Sequence, residues 1–241
     1  GMMVALDKTT GKEVWKTSVK DLGEKGKEGA GYSSIVISNA GGVKQYVQLT
    51  GKGLIGVRAS DGMLLWNYNP VANGVANIPT PIVSGDYVFC STGYGTGSAL
   101  VKLSKDGDGI AAEEVYFLDA KTLQNHHGGM ILYKDHLYCG HGHGNGFPIC
   151  LNLKTGKVVW GGKIRGEGAG SAAVSFADGN LIFRYESGEV ALIEATPEDY
   201  KLKGSFKADQ VLGKAWAHPV ICGGKLYLRE QDVLMCYDLR K

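Results

Sequence analysis

One short pattern, a strand-like run that turns at a glycine and ends on tryptophan, occurs three times in this chain of 241 residues. The copies span residues 4–15, 54–66 and 148–160, and each places its tryptophan four residues after the glycine of the turn. Apolar runs on both sides of a polar turn predict two antiparallel strands joined by a tight connection. Each copy is therefore interpreted as a β-hairpin.

Two weaker copies at residues 99–118 and 190–206 and a half-copy at residues 233–239 follow the same plan. The aromatic positions of the five hairpins, which are 51, 50, 44 and 46 residues apart, are Trp15, Trp66, Tyr116, Trp160 and Phe206. A period of this size with several short strands per unit is typical of a β-propeller of four-stranded antiparallel blades. We expect the repeated tryptophans to pack between neighbouring blades rather than to bind sugars.

The repeat predicts a single β-propeller domain over residues 1–241 with about five to six blade units. The expected units are a partial blade at 4–19, complete blades at 31–69, 77–118, 126–164 and 168–207, and a partial blade at 215–241. The first partial blade offers two strands and the last offers three. Either the chain is the later part of a longer propeller, or its two ends join with one redundant strand. We favour the longer propeller, because the chain opens in the middle of a unit, and its open blade edges favour dimerisation.

The composition of the chain argues against several classes of binding partner. The 26 basic and 24 acidic residues give a net charge of +2, which argues against a nucleic-acid or anionic-membrane partner. No apolar run reaches membrane-spanning length. The five cysteines form no C-x-x-C pair and favour buried thiols, with a Cys139–Cys150 disulfide across one hairpin as the alternative.

The repeat A-L-D-x-x-T-G-K-x-x-W resembles the tryptophan-docking repeat of the pyrroloquinoline-quinone (PQQ) type β-propellers. The segments that support this resemblance lie at residues 31–34, 45–53, 77–83, 125–129 and 216–220. The chain is most similar to exported bacterial PQQ-binding-like propeller proteins, which implies a periplasmic or exported location and further blades upstream. The resemblance also makes PQQ with calcium the cofactor to consider.

Three function hypotheses follow. The favoured one is a non-catalytic binding module that presents a loop face and an axial channel to a ligand or partner. The alternative is a PQQ-dependent quinoprotein dehydrogenase, an oxidoreductase acting on alcohols or sugars. Against it, the first-strand segments show no aspartate or glutamate suited to base or calcium work, and the adjacent cysteines of the alcohol-oxidising members are missing. The third is an assembly factor resembling the propeller lipoprotein of outer-membrane assembly, which rests on fold alone.

The candidate binding site is the axial mouth of the propeller, where blade-initial strands converge and the loops after the second strands rise beside them. Its predicted residues are His126, His127, His218, Lys52, Tyr94, Arg184 and Arg229. This set is rich in donors and cations and short of carboxylates, which favours a small anionic ligand or a protein partner. The alternative role for His127 is a structural bridge between neighbouring blades.

His141 and His143 form a second, weaker candidate site. Neutral imidazoles bind zinc, copper or nickel, and the glycines around them would let the loop wrap a small ion. The competing interpretation is a flexible glycine-rich loop with two solvated histidines, because no Cys, Asp or Glu lies close by in the sequence to complete a set of four ligands.

Overall fold

The computed structural model describes residues 3–240. Over these residues the protein is all-β, with strands β1 to β21 and one 3-10 turn at Ala40–Gly42. Four sheets have four antiparallel strands each, one has three and one has two. The sheets are β-propeller blades, which confirms the predicted fold class and the strand number of both partial blades. The assignment of the whole chain to one domain stays a prediction.

The first compact unit ends at Asp119. It contains a two-stranded sheet in the order β1-β2 and four-stranded sheets in the orders β3-β4-β5-β6 and β10-β9-β8-β7. Its strands are β1 (Met3–Leu6), β2 (Glu13–Thr17), β3 (Val36–Ser38), β4 (Gln45–Thr50), β5 (Gly53–Arg58), β6 (Leu64–Tyr68), β7 (Ile82–Ser84), β8 (Tyr87–Thr92), β9 (Gly97–Asp106) and β10 (Gly109–Asp119).

The second compact unit begins at Ala120. Its sheets run in chain order as β11-β12-β13-β14, β15-β16-β17-β18 and β19-β20-β21. Its strands are β11 (Met130–Tyr133), β12 (His136–His141), β13 (Phe147–Asn152), β14 (Val158–Gly161), β15 (Ala172–Ala177), β16 (Asn180–Tyr185), β17 (Glu189–Glu194), β18 (Leu202–Lys207), β19 (Val220–Cys222), β20 (Lys225–Glu230) and β21 (Val233–Asp238).

In two of the repeated hairpins, β1–β2 and β13–β14, a side chain at the start of the turn holds the turn together. In the β13–β14 turn, Asn152 Oδ1 accepts hydrogen bonds from the backbone N–H and the hydroxyl of Thr155, at 3.0 and 3.1 Å. Asp7 makes the corresponding bonds to Thr10 in the β1–β2 turn. The next residue, Gly156 in the later copy, has φ +67°, a conformation that glycine adopts without a Cβ penalty. The D/N-x-x-T-G motif is therefore turn chemistry.

The three repeated tryptophans are buried, as expected. Trp15, Trp66 and Trp160 are 9%, 5% and 7% exposed. The indole N–H of Trp15 donates to the backbone oxygen of Ala59 in the following repeat at 3.1 Å, and that of Trp160 donates to Thr196 at 2.8 Å. Each of these two rings is therefore bonded to the repeat that follows its own.

One aromatic assignment was wrong. In their own strands, the three repeated tryptophans each come directly after a bulge. Trp160, for example, follows the bulge in β14 and pairs with Cys150 of β13. In β17–β18 the corresponding shift leaves Gly204 opposite Leu192, and Phe206 lies two residues further on, opposite Val190. The glycine therefore occupies the tryptophan position. The sequence pattern matches residues by type, whereas the bulge determines which residues of β17 and β18 lie opposite each other.

The alternative of a Cys139–Cys150 disulfide does not hold in the structure, where all five cysteines are free. Cys139 lies opposite Ile149 in the β12–β13 ladder, and Cys150 lies opposite Tyr138. An offset of one residue places two side chains on opposite faces of a sheet.

Candidate functional site

The histidines of the predicted axial site lie in two loops of the second unit. His126 and His127 immediately precede β11, and His218 precedes β19 in the connection that follows β18. His126 Nδ1 lies 2.8 Å from the hydroxyl of Ser171, and His218 Nε2 lies 3.3 Å from the backbone oxygen of His127. The ring centroid of His126 is 4.6 Å from that of His127 and 4.1 Å from that of His143. These contacts gather four imidazoles into one cluster.

Burial lowers the pKa values of the inner histidines of this cluster. Burial, together with the neighbouring His127 and His143, lowers the pKa of His126 to about 4. Burial likewise lowers the pKa of His127, although the nearby Glu186 carboxylate opposes the shift. A histidine with a pKa near 4 is uncharged at pH 7, so His126 contributes hydrogen bonding and no positive charge.

Glu186, in the β16–β17 turn, connects the histidines to the surface. Its Oε1 accepts the indole N–H of Trp216 at 2.7 Å and lies 3.3 Å from His127 Nε2. Its Oε2 is 3.0 Å from the ammonium of Lys214. Burial raises the pKa of Glu186, but the hydrogen bonds from Lys214, Trp216 and His127 outweigh it and hold the pKa below its ordinary value. The expectation of a site short of carboxylates was therefore wrong.

Arg184 was expected on the rim of the site, and its side chain is instead completely buried. Its guanidinium pairs with the equally buried Glu230 of β20. The other oxygen of Glu230 accepts the backbone N–H groups of Leu212 and Gly213, at 3.0 and 3.1 Å. The pair thus anchors the β18–β19 connection, which carries Trp216. Arg184 is a support for the surface and not a part of it.

Arg229, on β20, does lie at the surface. Its Nε donates to the backbone oxygen of Gln231 at 2.9 Å. A recess of about 210 Å³ beside it is lined by Lys214, Ala215, Trp216, Ala217, Arg229 and Gln231. Two cations and an indole that is 54% exposed therefore border one small concavity.

The two histidines of the weaker metal candidate do not act as a pair. His141 is buried at the end of β12, where its Nδ1 accepts the backbone N–H of Gln124 at 3.3 Å. His143 is exposed and packs on the ring of His126. Gly142 between them has φ +92°, so the chain does not continue as a strand. No group of three or more His, Cys, Asp or Glu residues suited to a metal ion occurs within residues 3–240.

Lys52 and Tyr94 belong to the first unit. Lys52 follows β4, and its ammonium donates to the backbone oxygen of Gly23 at 3.0 Å. Tyr94 follows β8 with a positive φ of 56°. Their membership of the binding site stays a prediction.

Sequence reasoning missed the three residues that organise this surface: Glu186, Lys214 and Trp216. The tryptophan carried the one available signal. It is the only one of the four that does not follow a turn glycine by four residues, so the repeat provides no packing role for it. Glu230 could not be found in the same way, because its partner lies 46 residues away in the chain.

The blades and this polar surface define the class of protein as a β-propeller with a histidine-, carboxylate- and tryptophan-containing cluster in its second unit. A family model described as outer membrane protein assembly factor BamB matches residues 1–162. The chain belongs to this family of PQQ-like β-propeller proteins.

Among solved structures, the crystal structure of BamB from Moraxella catarrhalis resembles the chain at 12% sequence identity and a TM-score of 0.48. The match covers 97% of this chain and 77% of that one. No curated protein matches the sequence. None of the helical structure in the described part of the chain is long and apolar enough to cross a membrane.

Proposed function

We propose that this protein is a non-catalytic interaction module whose Trp216 surface docks an acidic segment of a partner protein. The observation that carries the proposal is the exposure of Trp216 beside a recess bordered by cations. The histidine cluster and the buried Arg184–Glu230 pair support this surface from beneath. The proposed contact residues are Trp216, Lys214 and Arg229, with His126, His127 and His218 behind them.

Trp216 has the properties of an interface anchor. Tryptophan and arginine are enriched among the residues that dominate binding energies at protein interfaces. The indole is already oriented, because Glu186 accepts its N–H and the ring of His127 lies 5.3 Å from its centroid. A side chain that is ordered before binding loses less conformational entropy when a partner arrives.

Charge favours a carboxylate as the group that enters the recess. Glu186 already faces the ammonium of Lys214, and His126 is neutral at pH 7. The guanidinium of Arg229 therefore brings positive charge to the recess, and arginine binds carboxylates through paired N–H donors. With Lys214 paired to Glu186, the unpaired positive charge at the recess is that of Arg229.

The size of the recess favours a side chain over a free organic ligand. Its volume of about 210 Å³ is below the roughly 300–1,000 Å³ that is usual for small-molecule pockets. One acidic side chain of a docked polypeptide fits this scale. We therefore favour the protein partner over the small anionic ligand that the sequence left open.

The family supports an assembly role and an exported location. Its description names an outer membrane protein assembly factor. We propose that this chain acts in the periplasm or outside the cell on a protein partner, which was the third of the sequence-based hypotheses. The tryptophan-docking interpretation of the repeat is supported by the burial of Trp15, Trp66 and Trp160.

The quinoprotein alternative receives less support from the residues that are present. PQQ carries three carboxylates, and its calcium ion needs six to eight oxygen ligands. Over residues 3–240 no cluster of three acidic, histidine or cysteine residues is suited to a metal, and Arg184 is occupied by Glu230. These residues do not fit PQQ with calcium. Mixing the protein with PQQ and calcium, followed by dialysis, is expected to leave no quinone absorbance with the protein.

Calorimetric titration with two designed octapeptides tests the proposal. One alternates Glu and Gly, and the other alternates Lys and Gly. We expect saturable binding of the acidic peptide alone. Trp216→Ala and Arg229→Gln should each weaken it about tenfold, which corresponds to about 1.4 kcal/mol.

Lys157→Gln is the matched control, because it removes the same charge from an exposed hairpin of the same unit. If Lys157→Gln weakens binding as much as Arg229→Gln, the attraction is a general effect of net charge. Equal binding of both peptides would also contradict the proposal.

A further inference from the structure

The register defines one equivalent position in five of the six described sheets. In the last strand of each of these five sheets, one residue lies just after the bulge and faces the strand before it. The pairs are Trp15 with Ala5, Trp66 with Gly56, Tyr116 with Leu100, Trp160 with Cys150 and Gly204 with Leu192. Four of the five positions carry an aromatic ring, and the fifth carries no side chain.

At this position the ring fills space against the following sheet. Trp160 belongs to the same buried cluster as Leu181 and Phe183 of the β15–β18 sheet. Trp15 belongs to the same cluster as Ile55 and Val57 of the β3–β6 sheet. At these two joints, where one blade packs against the next, an indole ring fills the space between the sheets.

At the joint that follows β18 the equivalent position, Gly204, carries no ring, and Phe206, two residues further on, packs on Tyr237 with ring centroids 5.0 Å apart. A Cβ built on Gly204 would meet no atom within 4 Å, and the φ of Gly204 lies outside the positive range. Neither crowding nor backbone conformation therefore requires glycine here. The side chain is absent where space for it exists.

A cavity of about 400 Å³ lies at this joint. Its walls come from both sheets and are mainly apolar. The lining includes Ile182, Leu192, Gly204, Phe206, Ile221 and Leu226. An apolar cavity of about 150 Å³ is enough to hold benzene in a protein interior, so this volume is ample for a two-ring aromatic group.

The hydrogen-bond acceptor for an indole N–H is also in place. The acceptor for Trp15 is the backbone of Ala59, the residue that follows β5 and whose N–H donates to Lys44. Leu239 follows β21 in the same way, and its N–H donates to Gly224. Leu239 lines the cavity. Equivalent backbone therefore borders the open joint.

We propose that this cavity is a binding site for a planar aromatic group of the indole class, supplied by another molecule. The incoming ring takes the place that the tryptophan fills in the other joints and directs its N–H to the backbone at Leu239, as Trp15 directs its own to Ala59. The site is separate from the Trp216 surface and does not depend on the function proposed there. Free indole and a tryptophan side chain of a polypeptide share this chemistry.

Titration with indole, followed by isothermal calorimetry and by saturation-transfer NMR, tests the site. We expect saturable binding at one site per chain. Gly204→Trp should reduce indole affinity at least tenfold and raise the melting temperature, because the new ring fills the cavity from within. Gly204→Ala, which leaves most of the cavity open, is the matched control and should bind indole within threefold of the unmodified protein.

N-acetyltryptophanamide distinguishes the two sources. If it binds as well as indole, the site admits a ring attached to a polypeptide, and if only indole binds, the natural ligand is a free small molecule. The proposal is overturned if indole shows no saturable binding. It is equally overturned if a folded Gly204→Trp protein, verified by circular dichroism, binds indole as the unmodified protein does.

Discussion

Trp160 and Trp216 lie in the same compact unit and have opposite surroundings. Trp160 is 7% exposed, donates its indole N–H to a backbone carbonyl and packs near the rings of Tyr138 and Tyr200. Trp216 is half exposed, its indole N–H donates to the carboxylate of Glu186, and its ring packs against the imidazole of His127. The first is fixed by the repeat, and the second lies outside it.

The position of a tryptophan relative to the repeat therefore indicates whether the ring is structural or available for binding, which its residue type alone does not. A ring at the bulge of the outermost ladder of a blade contributes to the core, whereas a ring in the connection between blades is available to a partner. Gly204 is a third case. It occupies the position after the bulge that Trp160 occupies in the preceding sheet, but it carries no ring.

The largest expected effect is on stability. Trp160→Ala should lower the free energy of unfolding by about 3–5 kcal/mol, because it removes a buried ring and leaves a cavity. Trp216→Ala should change it by no more than about 0.5 kcal/mol. Urea unfolding followed by far-ultraviolet circular dichroism measures both. Similar losses from the two variants would remove the distinction between them.

The next largest effect concerns the support under the Trp216 surface. Glu230→Leu should cost about 3 kcal/mol, because it leaves the Arg184 guanidinium buried without its counter-charge. Combining it with Arg184→Met should recover part of the loss, since the unpaired charge disappears as well. Thermal unfolding of the single and double variants decides this. A double variant less stable than the single one would show that the pair is not the support described here.

A smaller effect is expected at the repeated turns. Asn152→Ala removes the acceptor for two hydrogen bonds from Thr155 in the β13–β14 turn. It should lower the free energy of unfolding by about 1 kcal/mol and leave binding at the Trp216 surface unchanged. Lys157→Ala in the same turn is the control and should be nearly neutral. Loss of acidic-peptide binding in Asn152→Ala would show that the two regions are coupled.

The remaining effect is the pH dependence of stability that comes from the histidine cluster. The pKa of His126 is about 4 in the folded protein and 6.5 in the ordinary state, so the unfolded chain takes up more protons between these values. Stability should therefore fall as the pH drops from 6.5 to 4. His126→Asn should flatten this slope in urea titrations at a series of pH values. An unchanged slope in His126→Asn would place the titrating group elsewhere.

The repeat made much of the fold predictable. Hairpins with a fixed glycine-to-tryptophan offset set the strand order, the burial of Trp15 and Trp160 and the shortened first and last sheets. The repeat pattern does not predict the β17–β18 hairpin correctly, because its turn is longer and has no glycine four residues before an aromatic residue. There the pattern points to the nearest aromatic residue, Phe206, whereas the bulge assigns the structural position to Gly204.

The candidate site was less predictable, because it depends on contacts between distant residues. The loops with His126, His127 and His218 could be placed from strand order alone. The side of β16 on which Arg184 lies could not, and its partner Glu230 belongs to the next sheet. The role of Glu186 depends on Trp216 and Lys214, which follow it by about thirty residues.

Indole N–H signals in a nitrogen-15 correlation spectrum test the central claim most directly. The chain has four tryptophans, so four signals are assigned by substituting each in turn. On addition of the acidic octapeptide, we expect the Trp216 signal to move in a saturable way while those of Trp15, Trp66 and Trp160 stay in place. A stationary Trp216 signal, or a shift confined to the repeated tryptophans, would contradict it.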